Sequence, residues 1–186
     1  MVVSMTTRLQ ITLFIILTFF IVCQGCASKE TRRTVKAMLK SELILPTNML
    51  EITNGIVKTY HDNDINKALM VIYYDKAECG SCRISKLNML DTLYNLSETS
   101  DKFNMLVVFS PNEEEFNEIL SLLKDKQYPY PVTLDISGDF LRLNSFIPED
   151  SRFHCFLTNS NRKPVFVGNP LYSTELWNLF IKTLNH

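Results

Sequence analysis

Residues 68–96 read ALMVIYYDKAECGSCRISKLNMLDTLYNL, and the pattern changes twice within them. Ala68 to Tyr74 is a continuous apolar run of seven residues. A run that short, with Val71, Ile72 and two tyrosines, predicts a strand buried on both faces rather than part of a helix. After Cys82 the period differs. Ile84, Leu87, Leu90 and Leu93 recur every third residue, with Met89 and Leu96 beside them. They read as one apolar face of a helix. Between strand and helix stands Cys79-Gly80-Ser81-Cys82.

Working outward, Leu43 to Tyr60 reads as extended, with Asn54-Gly55 as a hairpin turn. On the other side, Phe103 to Phe109 predicts a second buried strand. Ser110-Pro111-Asn112-Glu113 has the form of a helix start, with Ser110 as cap, Pro111 in the first position and Glu113 completing a capping box. Phe116, Ile119, Leu120 and Leu123 supply that helix's inner face, and Glu113-Glu114-Glu115 reads as a solvated run suited to the helix dipole. Tyr130 to Asp135 predicts a short strand and Gly138 to Phe146 a short helix. Phe153 to Thr158 predicts a strand that Asn159-Ser160-Asn161 turns back into Pro164 to Val167. Ser173 can cap a last helix with Leu176, Leu179, Phe180 and Leu184 inward. The order β–α–β–α–β–α–β–β–α predicts an α/β domain, a mixed central sheet flanked by helices on both faces, ending in a β-hairpin and a helix.

The N-terminus is different in kind. Met1 to Gln10 carries one charge, Arg8, and Ile11 to Cys23 is an apolar run of 13 residues. A bilayer-spanning helix needs roughly 20 residues. The run therefore suits the core of a secretory signal, and left uncleaved it is a membrane anchor; both readings export the rest of the chain. Gly25-Cys26 resembles the bacterial lipobox, with Cys23 and Gln24 where that motif prefers an aliphatic and a small residue. The resemblance implies a lipid on Cys26, which becomes the mature N-terminus and ties the protein to a membrane. The expected organisation is a lipoprotein signal peptide over 1–25, a tether or short helix over 26–41, and one domain over 42–186.

Composition excludes several functions. The 186 residues are 46% hydrophobic and 21% charged, as in globular chains. Lys+Arg number 19 against Asp+Glu 20, so no basic excess supports a nucleic-acid partner. Five glycines form no phosphate-binding loop, and three histidines, one of them terminal, give no Ser-His-Asp set. No cofactor is expected.

Of the five cysteines, Cys23 leaves with the signal and Cys26 is the lipid anchor, which leaves Cys79, Cys82 and Cys155 for chemistry. In an oxidising compartment a Cys-x-x-Cys pair can be redox-active. At a helix start, unpaired backbone N–H groups and the dipole stabilise an anion, which favours the Cys79 thiolate. Lys76, Arg83 and Lys86 add to that field and Glu78 opposes it. The spacing leaves two other readings open. A structural disulfide across so short a loop removes little unfolded-state entropy. A metal site from Cys79, Cys82, Cys155 and His154 has the right ligand types, though nothing in the spacing demands it, and none is expected. Cys155 reads as a small buried hydrophobe and His154 as a packed bystander.

A buried strand, a Cys-x-x-Cys and an amphipathic helix together resemble the redox corner of the thioredoxin fold. Pro131-Val132, Leu134-Asp135 and Gly138 resemble the extra strand and turn of the TlpA and peroxiredoxin-like branch, and Phe156-Leu157 with Pro164-Val165 resembles its late hairpin. The likeness covers roughly residues 65–184, and the chain is similar to thioredoxin-like lipoproteins of the Bacteroidota. The resemblance implies a membrane-anchored thiol–disulfide oxidoreductase. Cys79 is then the nucleophile, Cys82 the resolving cysteine, and Glu78, Gly80, Ser81 and Phe153 the substrate contacts. Protein thiols or disulfides of the periplasm are the expected partners, with a membrane dithiol as electron donor. The expected location is the cell envelope of a diderm bacterium, on the inner or outer membrane, facing the periplasm. Two departures stand out. Phe153 occupies the position of the family's cis-proline, and Tyr73 stands where thioredoxins bury a proton-shuttling acid. Both favour the alternative of a non-catalytic binding module on the same scaffold; metal delivery is a third possibility.

Overall fold

The computed structural model describes residues 29–62, 66–76 and 80–185. The chain divides into two compact units, Met1–Ala37 and Met38–His186. Residues 29–38 form helix α1.

In the second unit, the apolar run Ala68–Tyr74 forms strand β3, and Phe103–Phe109 forms β4. They pair in parallel from Ala68 opposite Phe103 to Tyr74 opposite Phe109. Met70, Val71 and Val107 are fully buried, so both strands are covered on each face, as their uninterrupted hydrophobicity predicts. β5 (Val132–Leu134) continues the parallel set beside β4, and β1 (Leu50–Thr53) and β2 (Ile56–Thr59) add antiparallel strands beyond it. On the other side β6 (Cys155–Thr158) runs antiparallel to β3, and β7 (Pro164–Val167) antiparallel to β6. The result is one seven-stranded mixed sheet, ordered β2-β1-β5-β4-β3-β6-β7. The turn between β1 and β2 has positive φ at both Asn54 (50°) and Gly55 (75°), the conformation that suits a two-residue hairpin. A Cβ on Gly55 would also lie 2.8 Å from the Lys124 carbonyl oxygen, so no other residue fits there.

Parallel neighbours need crossovers. Between β3 and β4 run α2 (Gly80–Ile84), a 3-10 turn (Leu87–Leu90) and α3 (Asp91–Ser100); between β4 and β5 runs α4 (Phe116–Lys126). α5 (Asp139–Leu143) precedes a second 3-10 turn (Ser151–Phe153), and a third (Pro170–Tyr172) leads into α6 (Thr174–Leu184). Strand alternation divides the side chains between two layers. Met70, Ile72, Met105 and Val107 share a core with Leu87, Leu93, Ile119 and Phe180 from the helices. Tyr73 points the other way and stacks on Phe140 of α5, ring centroids 5.1 Å apart. Helices therefore cover both faces, as the element order predicts.

Four local expectations change. The helix expected after Cys82 is broken into three pieces. Its apolar residues fall three apart, and that period keeps one face only at three residues per turn; at 3.6 it drifts, so the centre tightens into 3-10 geometry. Ser110 does not cap α4, which starts at Phe116, because its hydroxyl donates instead to the buried Asp135 carboxylate at 3.0 Å. Phe153 belongs to a 3-10 turn rather than to β6, since the Asp150 side chain accepts from Arg152 N at 3.0 Å and caps that turn. Leu179, expected inward, is 52% exposed, although Ser173 does cap α6 by accepting from Leu176 N.

Candidate functional site

The sheet ends of β3 and β6 are tied together where α2 begins. Tyr73 N donates to the His154 carbonyl at 2.9 Å, and Ile72 lies opposite Cys155 in register. This brings the start of β6 to the same edge of the sheet as the first turn of α2. Cys82 lies in α2, exposed and disulfide-bonded, its partner outside the described residues. Ser81 is exposed as well. Glu78, Cys79 and Cys26, the last expected to carry the lipid, lie outside the described residues.

Gly80 and Phe153, both expected as substrate contacts, are buried. A Cβ on Gly80 would lie 2.3 Å from Cδ1 of Ile119, so the first residue of α2 packs directly on α4. Phe153 is covered by the Arg152 guanidinium, whose carbon sits 5.6 Å from the ring centre. What faces outward at that position is therefore arginine. No peptide bond is cis among the described residues.

At the break in the helix, backbone carbonyls take donors from outside it. Two tyrosines on the segment before β5 supply them. Tyr128 donates its hydroxyl to the Ile84 carbonyl and Tyr130 to the Leu87 carbonyl, both at 2.6 Å. Burial, then the nearby Asp91 charge, pushes the Tyr130 phenol well above its usual range. These hydroxyls fix the course of the chain just after the cysteine.

Tyr73 is 2% exposed and sits between Phe140 and His154, with ring centroids 5.1 Å from each. His154 is also buried. Its Nε2 lies 2.8 Å from the Pro148 carbonyl, which can only accept, so Nε2 carries the proton. Cys155 is buried and free, and desolvation pushes its thiol far up, keeping it protonated at neutral pH. The buried carboxylate of this end of the sheet, Asp135, accepts from Ser110 and from the N–H groups of Asp139 (3.1 Å) and Phe140 (2.8 Å). It is a structural cap for α5. Among the described residues, no three His, Cys, Asp or Glu side chains are grouped to hold a metal.

A small groove of about 60 Å³ opens beside α2. Arg83 and Arg152 line it, with Tyr74, Ser151, Asn169 and Tyr172. The Arg83 guanidinium lies 5.7 Å over the Tyr74 ring. Sequence reading gave Arg83 a place in the local field but missed Arg152 and Tyr172, which lie far along the chain and carry no motif.

No family model matches the chain. No curated protein matches it either. Solved structures do. An uncharacterized thioredoxin-like protein from Porphyromonas gingivalis superposes with a TM-score of 0.50 at 17% identity, over 78% of this chain and 92% of the other. A Chlorobium tepidum protein assigned as thiol:disulfide interchange protein DsbE gives a TM-score of 0.51 at 14% identity, over 77% and 98%. The fold is thioredoxin-like. The end of β3, α2 and the turn before β6 meet at one groove, which Tyr74, Arg83, Ser151 and Arg152 line, with Cys82 next to Arg83 in the chain. No helix among the described residues is long and apolar enough to cross a membrane.

Proposed function

We propose that this chain is a thiol–disulfide oxidoreductase acting through Cys79 and Cys82, exported and held at the membrane of a diderm envelope by a lipid on Cys26. One observation carries the reading: Cys82 is a disulfide-bonded, exposed cysteine in the helix that succeeds the central strand of a thioredoxin-like sheet. Cys79 is the partner the spacing offers. In the reducing direction, the Cys79 thiolate attacks one sulfur of a substrate disulfide, forming a mixed disulfide and expelling one substrate thiolate. The Cys82 thiolate then attacks the Cys79 sulfur and expels the second. Two electrons and two protons pass from the dithiol to the substrate. A membrane dithiol restores the pair. Because Cys82 is exposed, its thiol exchanges protons with water directly, and tyrosine in place of a buried acid at position 73 removes no necessary step.

The full-length protein in detergent micelles, with dithiothreitol as electron source, is expected to accelerate the reduction of insulin. Cys79→Ser abolishes the acceleration and Cys155→Ala keeps it. In cells, Cys26→Ala moves the protein out of the membrane fraction. Wild type no faster than Cys79→Ser overturns the oxidoreductase in favour of a non-catalytic binding module.

A further inference from the structure

We propose that the groove beside α2 binds a carboxylate of the partner protein close to its reacting cysteine, so that the chain selects acidic segments; this rests on the oxidoreductase reading above. Among the described residues, the lining holds two guanidinium groups, Arg83 and Arg152, and no Asp or Glu. The Ser151 hydroxyl and the Asn169 side chain add polar groups. The space, about 60 Å³, has room for a group the size of a carboxylate.

Both arginines are held before anything binds. Arg83 comes directly after Cys82 and lies across the Tyr74 ring. Arg152 is clasped by Asp150 through Nε (3.0 and 2.9 Å) and Nη2 (2.6 Å), with its guanidinium over Phe153. Asp150 orients this cation from outside the groove lining. Side chains already ordered lose less entropy on binding, and guanidinium N–H groups form strong charge-assisted hydrogen bonds with a carboxylate. Tyr172, 71% exposed on the rim, offers an aromatic surface of the kind that anchors protein partners. The groove thus recognises charge beside the cysteine, on the side where Phe153 replaces the family's proline.

Small disulfides of different charge test this without a partner in hand. The full-length protein is reduced, freed of reductant and mixed with glutathione disulfide (anionic), bis(2-hydroxyethyl) disulfide (neutral) or cystamine (cationic). In each case the protein dithiol is oxidised and one probe becomes two thiols. Dividing each rate by that of dithiothreitol with the same probe cancels the probe's own reactivity. The anionic probe is expected to lead the neutral one by at least about fivefold at low salt, with cystamine slowest. The lead shrinks as salt is added. Arg152→Gln and Arg83→Gln bring the anionic-to-neutral ratio toward one, and Arg83→Lys preserves part of it. Any effect of Arg83 on thiolate reactivity acts on all probes and leaves the ratio unchanged. Equal normalised rates, or a ratio unaltered in both glutamine variants, overturn the groove assignment and leave the dithiol chemistry standing. No reaction with any probe overturns both.

Discussion

Gly80 holds its place by lacking a side chain. Its Cα approaches α4 so closely that an added methyl meets Ile119 Cδ1 at 2.3 Å and Cγ1 at 3.1 Å. Ile119 is itself buried, at 2% exposure. Gly80→Ala is expected to cost about 1–2 kcal/mol, since overpacking outweighs the gain in helix propensity. Ile119→Val removes Cδ1 and alone costs about 0.5–1.5 kcal/mol. In urea unfolding of all four proteins, the double variant should lose less than the sum of the singles; strict additivity would mean that the two residues do not press on each other. Sequence reading took Gly80 for a substrate contact because it lies inside Cys-x-x-Cys. The motif marks a neighbourhood, but the side to which a residue faces depends on how α2 seats against α4.

At the scale of elements, the segment after the dithiol is held from across the fold. Ile84, Leu87, Leu90 and Leu93 are all buried, so the apolar face was correctly visible as a pattern. The break is braced from elsewhere, by hydroxyls that Tyr128 and Tyr130 donate to the Ile84 and Leu87 carbonyls from over 40 residues later. Tyr130→Phe is expected to destabilise the protein by about 0.5–1.5 kcal/mol, the loss of one buried hydrogen bond. Amide exchange near residues 87–91 should rise more than in the strands. An unchanged midpoint and exchange pattern would mean that the hydroxyl is not holding the turn. The same distance effect accounts for Ser110, whose local signature promised a cap and whose hydroxyl was taken by Asp135, 25 residues on.

The whole molecule buries several groups that must stay protonated. Burial raises the Cys155 thiol from its ordinary 9.0 and the Tyr60 and Tyr130 phenols from 10.0. In each case the folded value lies above the unfolded one, so the unfolded chain sheds protons first as pH rises. Their contribution is complete below about pH 9 and is lost progressively above it, first through the thiol and then through the phenols. With the oxidised protein, urea midpoints should be level from pH 7 to about 9 and then fall, and Cys155→Ala should remove part of the fall between about 9 and 10. A slope there unaltered by the substitution would exclude Cys155 as its source. The sequence by itself determined the sheet and its order of elements: runs such as 68–74 and 103–109 are too apolar to lie anywhere but inside, and their alternation with helical periods limits the topology. It also marked Cys79 and Cys82, because two cysteines at a fixed spacing are visible without coordinates. Only the tertiary structure decided which side chains reach the surface. It buried Gly80 and Phe153, exposed Cys82, and brought Arg152 and Tyr172 to the groove that holds Arg83. Those outcomes depend on contacts between segments distant in the chain, and hydrophobic period, turn chemistry and motif spacing are all local quantities.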